Sequence, residues 1–336
     1  MGIWERYRLR LKRRQLRFRA FRKRRELLAL KDRTSSIGAR DVIAVAVLRN
    51  ECVRLPYFLR YYRDLGVRHF FMIDNGSNDG SREYLAEQED VSLWSTNASY
   101  KAARFGADWL NWLLFRYARG HWILALDVDE FLVYPFCDTR PVQALTDWLD
   151  TYNVRSFPAM VLDMYPKGPV GAERYREGQN PFEIAAYFDA GNYTISKNPS
   201  FQNLWIQGGP RARTMFADAP EDAPSLNKIP LVKWHWSYCF ASSTHMLLPR
   251  GLNQIYDEWG GEKASGCLLH AKFLSTFEAK VEEELERREH FAGSREYLAY
   301  AESLKGETNL WCKWSEKYVN WRQLEILGLM SKGNWA

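Results

Sequence analysis

Between Asp41 and Glu130 short apolar runs alternate with helical stretches, and this alternation constrains the fold more than any other feature of the chain. Residues 42–48 (Val-Ile-Ala-Val-Ala-Val-Leu) are apolar and β-branched at strand length, and a helix is predicted over 55–65. A second strand, 67–73, leads into Asp74-Asn-Gly-Ser-Asn-Asp-Gly80, a run dense in turn formers. A helix over 81–88, a strand over 91–94 and a longer helix over 103–119 follow. A strand over 122–126 then runs straight into Asp127-Val-Asp-Glu130. Strands and helices in this order predict an α/β fold, a mostly parallel sheet covered by helices. In such sheets ligands bind beyond the carboxyl ends of the strands, where both acidic turns fall.

The second half is less regular. A strand is predicted over 154–162, ending at Asp163, and a loop-rich stretch runs from 167 to about 230. A strand over 231–238 and a charged helix over 272–291 follow, and the tail from Glu296 is Trp-rich.

Asp127, Asp129 and Glu130 put three carboxylates within four residues. Such a group repels itself unless a positive charge neutralises it, and Mg²⁺ or Mn²⁺ favours these oxygen ligands. A D-x-D alone is a weak signal; its place at a strand end strengthens it. Asp74 at the other turn suits a hydrogen bond from a pyrimidine ring N–H, although an Asx-rich turn explains it equally. Gly208-Gly-Pro-Arg211-Ala-Arg213 offers two guanidiniums suited to a diphosphate or an anionic acceptor, or simply an exposed basic loop.

Taken together, Arg49-Asn50-Glu51 after the first strand, Asp-Asn-x-Ser-x-Asp-Gly after the second and Asp127-x-Asp-Glu-Phe131 resemble a subgroup of the family 2 glycosyltransferases related to family 92. The resemblance spans roughly residues 41–275 and is tightest up to about 135. It implies a GT-A fold and metal-dependent transfer from a nucleotide sugar, a UDP-sugar first among donors, to a glycan or lipid-linked acceptor. By matching positions it places Asp74 at the nucleobase, Asn50, Glu51 and Asn75 along the nucleotide pocket, Asp127 at ribose or metal, and Asp129 at the metal. Leu268-Leu-His270-Ala-Lys272 matches the subgroup's His-x-Lys element, which implies His270 as a further metal ligand and Lys272 at the nucleotide. His245 ranks below it, and His235 between two Trp reads as structural.

An inverting enzyme of this kind needs a carboxylate to take the acceptor's hydroxyl proton. Asp163, at a strand end after the metal strand, ranks first, with Asp222 and Glu221 as alternatives. A sugar nucleotidyltransferase is the main competing class. It is disfavoured because residues 41–60 contain no Gly from which to build a phosphate loop. A non-catalytic, membrane-tethered glycan-binding protein is the other alternative.

Net charge divides the chain. Residues 1–40 hold fifteen Lys/Arg against Glu5, Glu26 and Asp32, whereas the remainder is mildly acidic. A nucleic-acid-binding body is therefore disfavoured. The segment reads as a basic amphipathic arm over 1–40, hinged near 34–38, with Trp4, Tyr7, Leu11, Phe18, Phe21 and Leu28 at helical spacing. Residues 1–30 suit an anionic membrane surface. A transferase domain over 41–295, self-sufficient as a fold, and a C-terminal extension over 296–336 packing back on it complete the expected organisation. Five scattered cysteines without C-x-x-C spacing suit a reducing compartment. With no apolar run long enough to span a bilayer, a cytoplasmic location is expected, peripheral at the inner face of the membrane.

Overall fold

The computed structural model describes residues 3–254, 263–287, 289, 295–306 and 308–335. The central sheet has nine strands: β1 (Leu28–Lys31), β2 (Val42–Leu48), β3 (His69–Asp74), β4 (Val91–Ser95), β5 (Trp122–Ala125), β6 (Glu130–Val133), β7 (Ser156–Asp163), β8 (Asn227–Lys233) and β9 (Gly266–His270), in the order β1-β4-β3-β2-β5-β8-β7-β9-β6. β4, β3, β2 and β5 pair in parallel. β8 runs against both β5 and β7, and β9 is parallel to β7. Only β1, β6 and β8 oppose the common direction. This is the helix-covered, mostly parallel α/β sheet expected from the sequence.

Strand β2 shows why. Its side chains alternate between two apolar layers, so both faces must be covered. Val42, Ala44, Ala46 and Leu48 enter one core with Phe58, Leu59 and Tyr62 of α2 (Leu55–Asp64). Ile43 and Val45 enter the other with Trp109, Leu110 and Leu113 of α4 (Ala107–Tyr117). Helices α3 (Ser81–Glu87) and α5 (Val142–Thr151) lie on connections of the sheet. The order reverses at β2: β3 and β4 lie to one side and β5 to the other. The crevice at that reversal is where open α/β sheets bind ligands.

Several boundaries differ from those expected. Helix α4 starts at Ala107 because Arg104, Phe105 and Gly106 all take positive φ. β8 covers Asn227–Lys233 rather than 231–238, since the chain leaves the sheet at Trp234. β1, β6 and β9 were not expected. The loop-rich stretch contains an antiparallel pair, Tyr193–Lys197 with Leu204–Gly208, and the short helix α6 (Gly209–Thr214). Of the helix expected over 272–291, α7 occupies Phe277–Arg287, and 288 and 290–291 lie outside the described residues.

The basic segment is docked. Helix α1 (Ile3–Lys23) buries Leu16 and Ala20 against the body, and Arg19 pairs with the buried Asp108 of α4 at 3.1 Å. Trp109 donates its indole N–H to Glu26 at 2.8 Å, and β1 adds an antiparallel edge strand to β4. Residues of the basic segment from Leu16 to Lys31 are thus packed on, or paired with, the rest of the chain. At the far end α8 (Arg295–Leu304) packs beside α7, while α9 (Trp321–Ile326) brings Trp321 onto Phe136. Trp335 stacks on Tyr134.

Candidate functional site

Strand pairing assembles the site. β9 aligns His270 with Glu130 of β6 on one side and with Asp163 of β7 on the other. Residues in register on neighbouring strands face the same way. Thus three polar groups far apart in sequence meet at the carboxyl end of the sheet, next to the turn Asp127–Asp129. His270 Nδ1 lies 2.7 Å from Asp163 Oδ1, and His270 Nε2 lies 3.2 Å from Asp129 Oδ2. Arg211 of α6 donates from Nε to the other Asp163 oxygen at 2.7 Å. The two carboxylates outweigh the effect of burial on His270 and raise its pKa to about 9. Burial also works against ionising Asp163, but Arg211 and His270 prevail and hold it at about 2.

A second cluster surrounds Lys228 of β8. Its ammonium donates to Asp127 Oδ2 at 2.7 Å and to Glu130 Oε1 at 2.5 Å. The Asp127 backbone N–H donates to Glu130 Oε2 at 3.1 Å. Partial enclosure opposes ionisation of Asp127, and the Lys228 ammonium more than reverses it. At Glu130 burial prevails over Lys228, and the carboxyl is pushed up. Carboxylate crowding in the Asp127–Glu130 turn is thus relieved in part by a lysine of the protein itself. Repulsion alone does not call for a metal here.

Asp127, Asp129, Glu130, Lys228 and His270 line one cavity of about 590 Å³, a volume typical of small-molecule sites. Glu51, Asn75, Arg211 and Lys272 also line it, as do Glu221 and Asp222 from the exposed turn Pro220–Asp222. Lys272 Nζ sits above the rings of Tyr297 and Tyr300, 5.2 and 4.7 Å from their centroids. On the β2–β3 side, Arg49 Nη1 donates to the carbonyls of Asn75 and Gly76. Gly76 has φ +76°, and a Cβ there would stand 3.0 Å from that guanidinium. Lys280 and Arg287 reach the same wall from α7, to Glu51 at 3.1 Å and to the Asn75 side-chain oxygen at 2.9 Å.

Other expected residues are placed elsewhere. Asp74 is buried, accepting from Ser77 N at 3.1 Å and from Arg82 at 2.9 and 3.0 Å, outside the cavity wall. Asn50 lies behind the wall, donating to Glu283 and accepting from Asn78 N. Arg213 lies outside the cavity wall, paired with Asp189 at 2.7 Å. Asp163 is walled in, with both oxygens engaged. Sequence reasoning gave no role to Lys228, Lys280 or Arg287, and named Arg49 only as part of the Arg49-Asn50-Glu51 motif. Lys228 carried a local signal, a cation within an apolar strand sequence.

Among the described residues no three His, Cys, Asp or Glu side chains stand close enough to enclose a metal ion. A divalent cation at Asp127 and Asp129 would complete its shell with oxygens of a bound substrate and water. The donor chemistry fits such an ion: two carboxylates on the cavity wall, and an imidazole clamped through Nδ1 so that Nε2 points at Asp129. A carboxylate behind a metal-bound His is the usual arrangement in metal sites.

His245 also lines the cavity, with Nδ1 donating to the Asn227 carbonyl at 2.6 Å. Burial first, then the Lys228 charge, lowers its pKa to about 4. An unfolded chain binds this proton below about pH 6.5 and the folded one does not until about 4. Stability should therefore fall as pH drops through that window, by up to about 3 kcal/mol from this group. Urea titrations of wild type and His245→Gln across pH 4–7 check this; parallel curves would remove His245 as the cause.

No family model matches the chain. A glycosyltransferase family 92 protein of Oryza sativa subsp. japonica is 26% identical over 125 residues, which is 35% of this chain and 19% of that protein. The chain thus spans about a fifth of the length of the curated relative it matches. Among solved structures, 4-diphosphocytidyl-2C-methyl-D-erythritol synthase superposes with a TM-score of 0.25 at 16% identity, covering 42% of this chain and 66% of that one. A Bacillus anthracis protein assigned as a glucose-1-phosphate thymidylyltransferase gives 0.29 at 9% identity, covering 86% and 95%. Superpositions this poor carry no weight for function.

Proposed function

We propose that the protein is a cation-dependent glycosyltransferase that moves a sugar, with inversion, from a nucleotide-sugar donor to a glycan or glycolipid acceptor, with UDP-sugars first among donors. The observation that carries this reading is the grouping of Asp127, Asp129 and His270 Nε2 in one cavity at the strand-order reversal. The partial likeness to a glycosyltransferase family 92 protein supports it. Asp127 and Asp129 would hold Mn²⁺ or Mg²⁺ together with oxygens of the bound substrate and water, with His270 Nε2 beside them at Asp129, and the cation would supply Lewis-acid stabilisation of the departing diphosphate. Lys272 and Arg211 add fixed positive charge on the same wall. Arg49, Glu51, Asn75, Lys280 and Arg287 make the nucleotide side, and Asp74 serves it indirectly by holding the turn.

Asp163 is poorly placed to serve an acceptor, since it is buried behind the cavity wall with His270 and Arg211 on its two oxygens. We assign it to orienting His270. The base then falls to Asp222 or Glu221, exposed carboxylates on the cavity wall. A panel of nucleotide sugars, assayed for slow donor hydrolysis with Mn²⁺ or Mg²⁺, tests the reading. Release of nucleoside diphosphate from one donor class, suppressed by chelator, is expected. No turnover of any donor would overturn it.

A further inference from the structure

Helix α1 has two apolar faces, and folding uses only one. At about 100° per residue, Leu9, Leu16 and Ala20 fall within about 40° of one another. This face meets the body: Leu16 packs with Cys239, Ala241 and Leu248, and Leu9 lies against the same cluster. Trp4, Tyr7, Leu11 and Phe18 fall within a sector of about 60° on the opposite side. They remain solvent-facing, Trp4 83% and Phe18 61% exposed. Ten Lys/Arg accompany them on a helix whose one acid is Glu5. The exposed strip continues onto the body through Phe21, Phe115 and Trp236, with Arg17 over the Phe115 and Trp236 rings. Between α1 and α4 lies a crevice of about 320 Å³ walled by Arg14, Arg17, Phe18, Phe21, Trp112 and Phe115.

We propose that this outer face of α1, with the α1–α4 crevice, docks the protein peripherally on an anionic lipid bilayer. A ridge of Trp, Tyr, Phe and Leu among guanidiniums is the composition of a helix lying in the membrane interface. The basic side chains meet anionic headgroups, and the crevice offers cations and aromatic walls to one of them. A second copy of the chain does not fit, because each would bring the same dense positive charge to the contact. No described helix is long and apolar enough to cross a membrane, so attachment is to the surface. The hairpin that receives Leu16 continues into Ser242, Ser243 and Met246, which line the 590 Å³ cavity. One hairpin therefore separates α1 from the site, and a lipid-linked acceptor follows if the glycosyltransferase reading holds; the docking itself does not depend on it.

Co-sedimentation of the full chain with vesicles tests the docking. Phosphatidylcholine vesicles carrying about 30 mol % phosphatidylglycerol should pellet the protein, pure phosphatidylcholine should not, and about 0.5 M salt should release it. The W4A/Y7A/L11A/F18A variant changes only exposed side chains and should bind at least about tenfold more weakly, with wild-type circular dichroism and donor hydrolysis. R8E/R14E/R22E, which leaves the apolar ridge intact, should lose binding to a similar degree. Equal binding to neutral and anionic vesicles would overturn the proposal, as would wild-type binding by either variant. So would a protein that ignores both vesicles and instead self-associates, or binds nucleic acid, through this face.

Discussion

Asp129→Ala should lower cation-dependent turnover of a nucleotide sugar by about 10³-fold or more while leaving the protein folded. The size follows from the role proposed for Asp129. A charge placed to bind a cation under a leaving diphosphate acts in the transition state, so its loss falls on kcat rather than on donor affinity alone. Folding should survive although His270 loses one of its two carboxylate partners, because the carbonyl of residue 129 accepts from Ala271 N at 2.8 Å and the variant keeps this bond. His270 also retains Asp163. Asp129→Asn keeps the shape and removes the charge, and should lose nearly as much. Mn²⁺ binding followed by calorimetry gives a second readout and should weaken in both variants. Undiminished turnover in excess chelator, or unchanged Mn²⁺ binding by the variants, would remove the cation from the reaction.

The parts of the fold legible in the sequence are those where local composition and burial agree. Strands β2 to β5 read correctly because each is apolar on both faces, which four or more residues suffice to show. The acidic turns were legible for the same reason, as polar clusters interrupting apolar runs. β6 and β9 escaped because neither stands alone: each is a few residues long and is defined by its partner. The docking of α1 was hidden by its two opposed apolar faces. Together they place apolar residues around much of the helix, and only contact with the body tells the buried face from the exposed one. The partners of Asp163 and Asp74 were hidden in the same way. Asp163 meets His270 across 107 residues of chain and Arg211 across 48, so its saturation with partners is a property of the sheet. Asp74 does end a strand, as read, yet Arg82 on the following helix takes it up.

Lys228→Met should destabilise the fold by about 3–5 kcal/mol, the range for removing one member of a buried ion pair. The methionine fills similar volume, so the cost is electrostatic. The Lys228 side chain is 4% exposed and that of Glu130 3%, whereas Asp127 is half exposed and can turn to water. The stranded charge is therefore Glu130. Its carboxyl is already pushed up by burial with the ammonium present, and without that ammonium it rises further. A carboxyl whose folded pKa exceeds its unfolded value binds more protons when folded. The variant should accordingly be least impaired at low pH, and should lose stability as pH rises through the range between the two values. Adding Glu130→Gln removes the stranded charge and should restore a large part of the loss while flattening that pH dependence. Urea denaturation of the single and double variants from pH 4.5 to 8 measures all three effects. If Lys228→Met unfolds at the wild-type midpoint throughout, the ammonium is not what holds the acidic turn, and a bound cation would have to carry that charge alone.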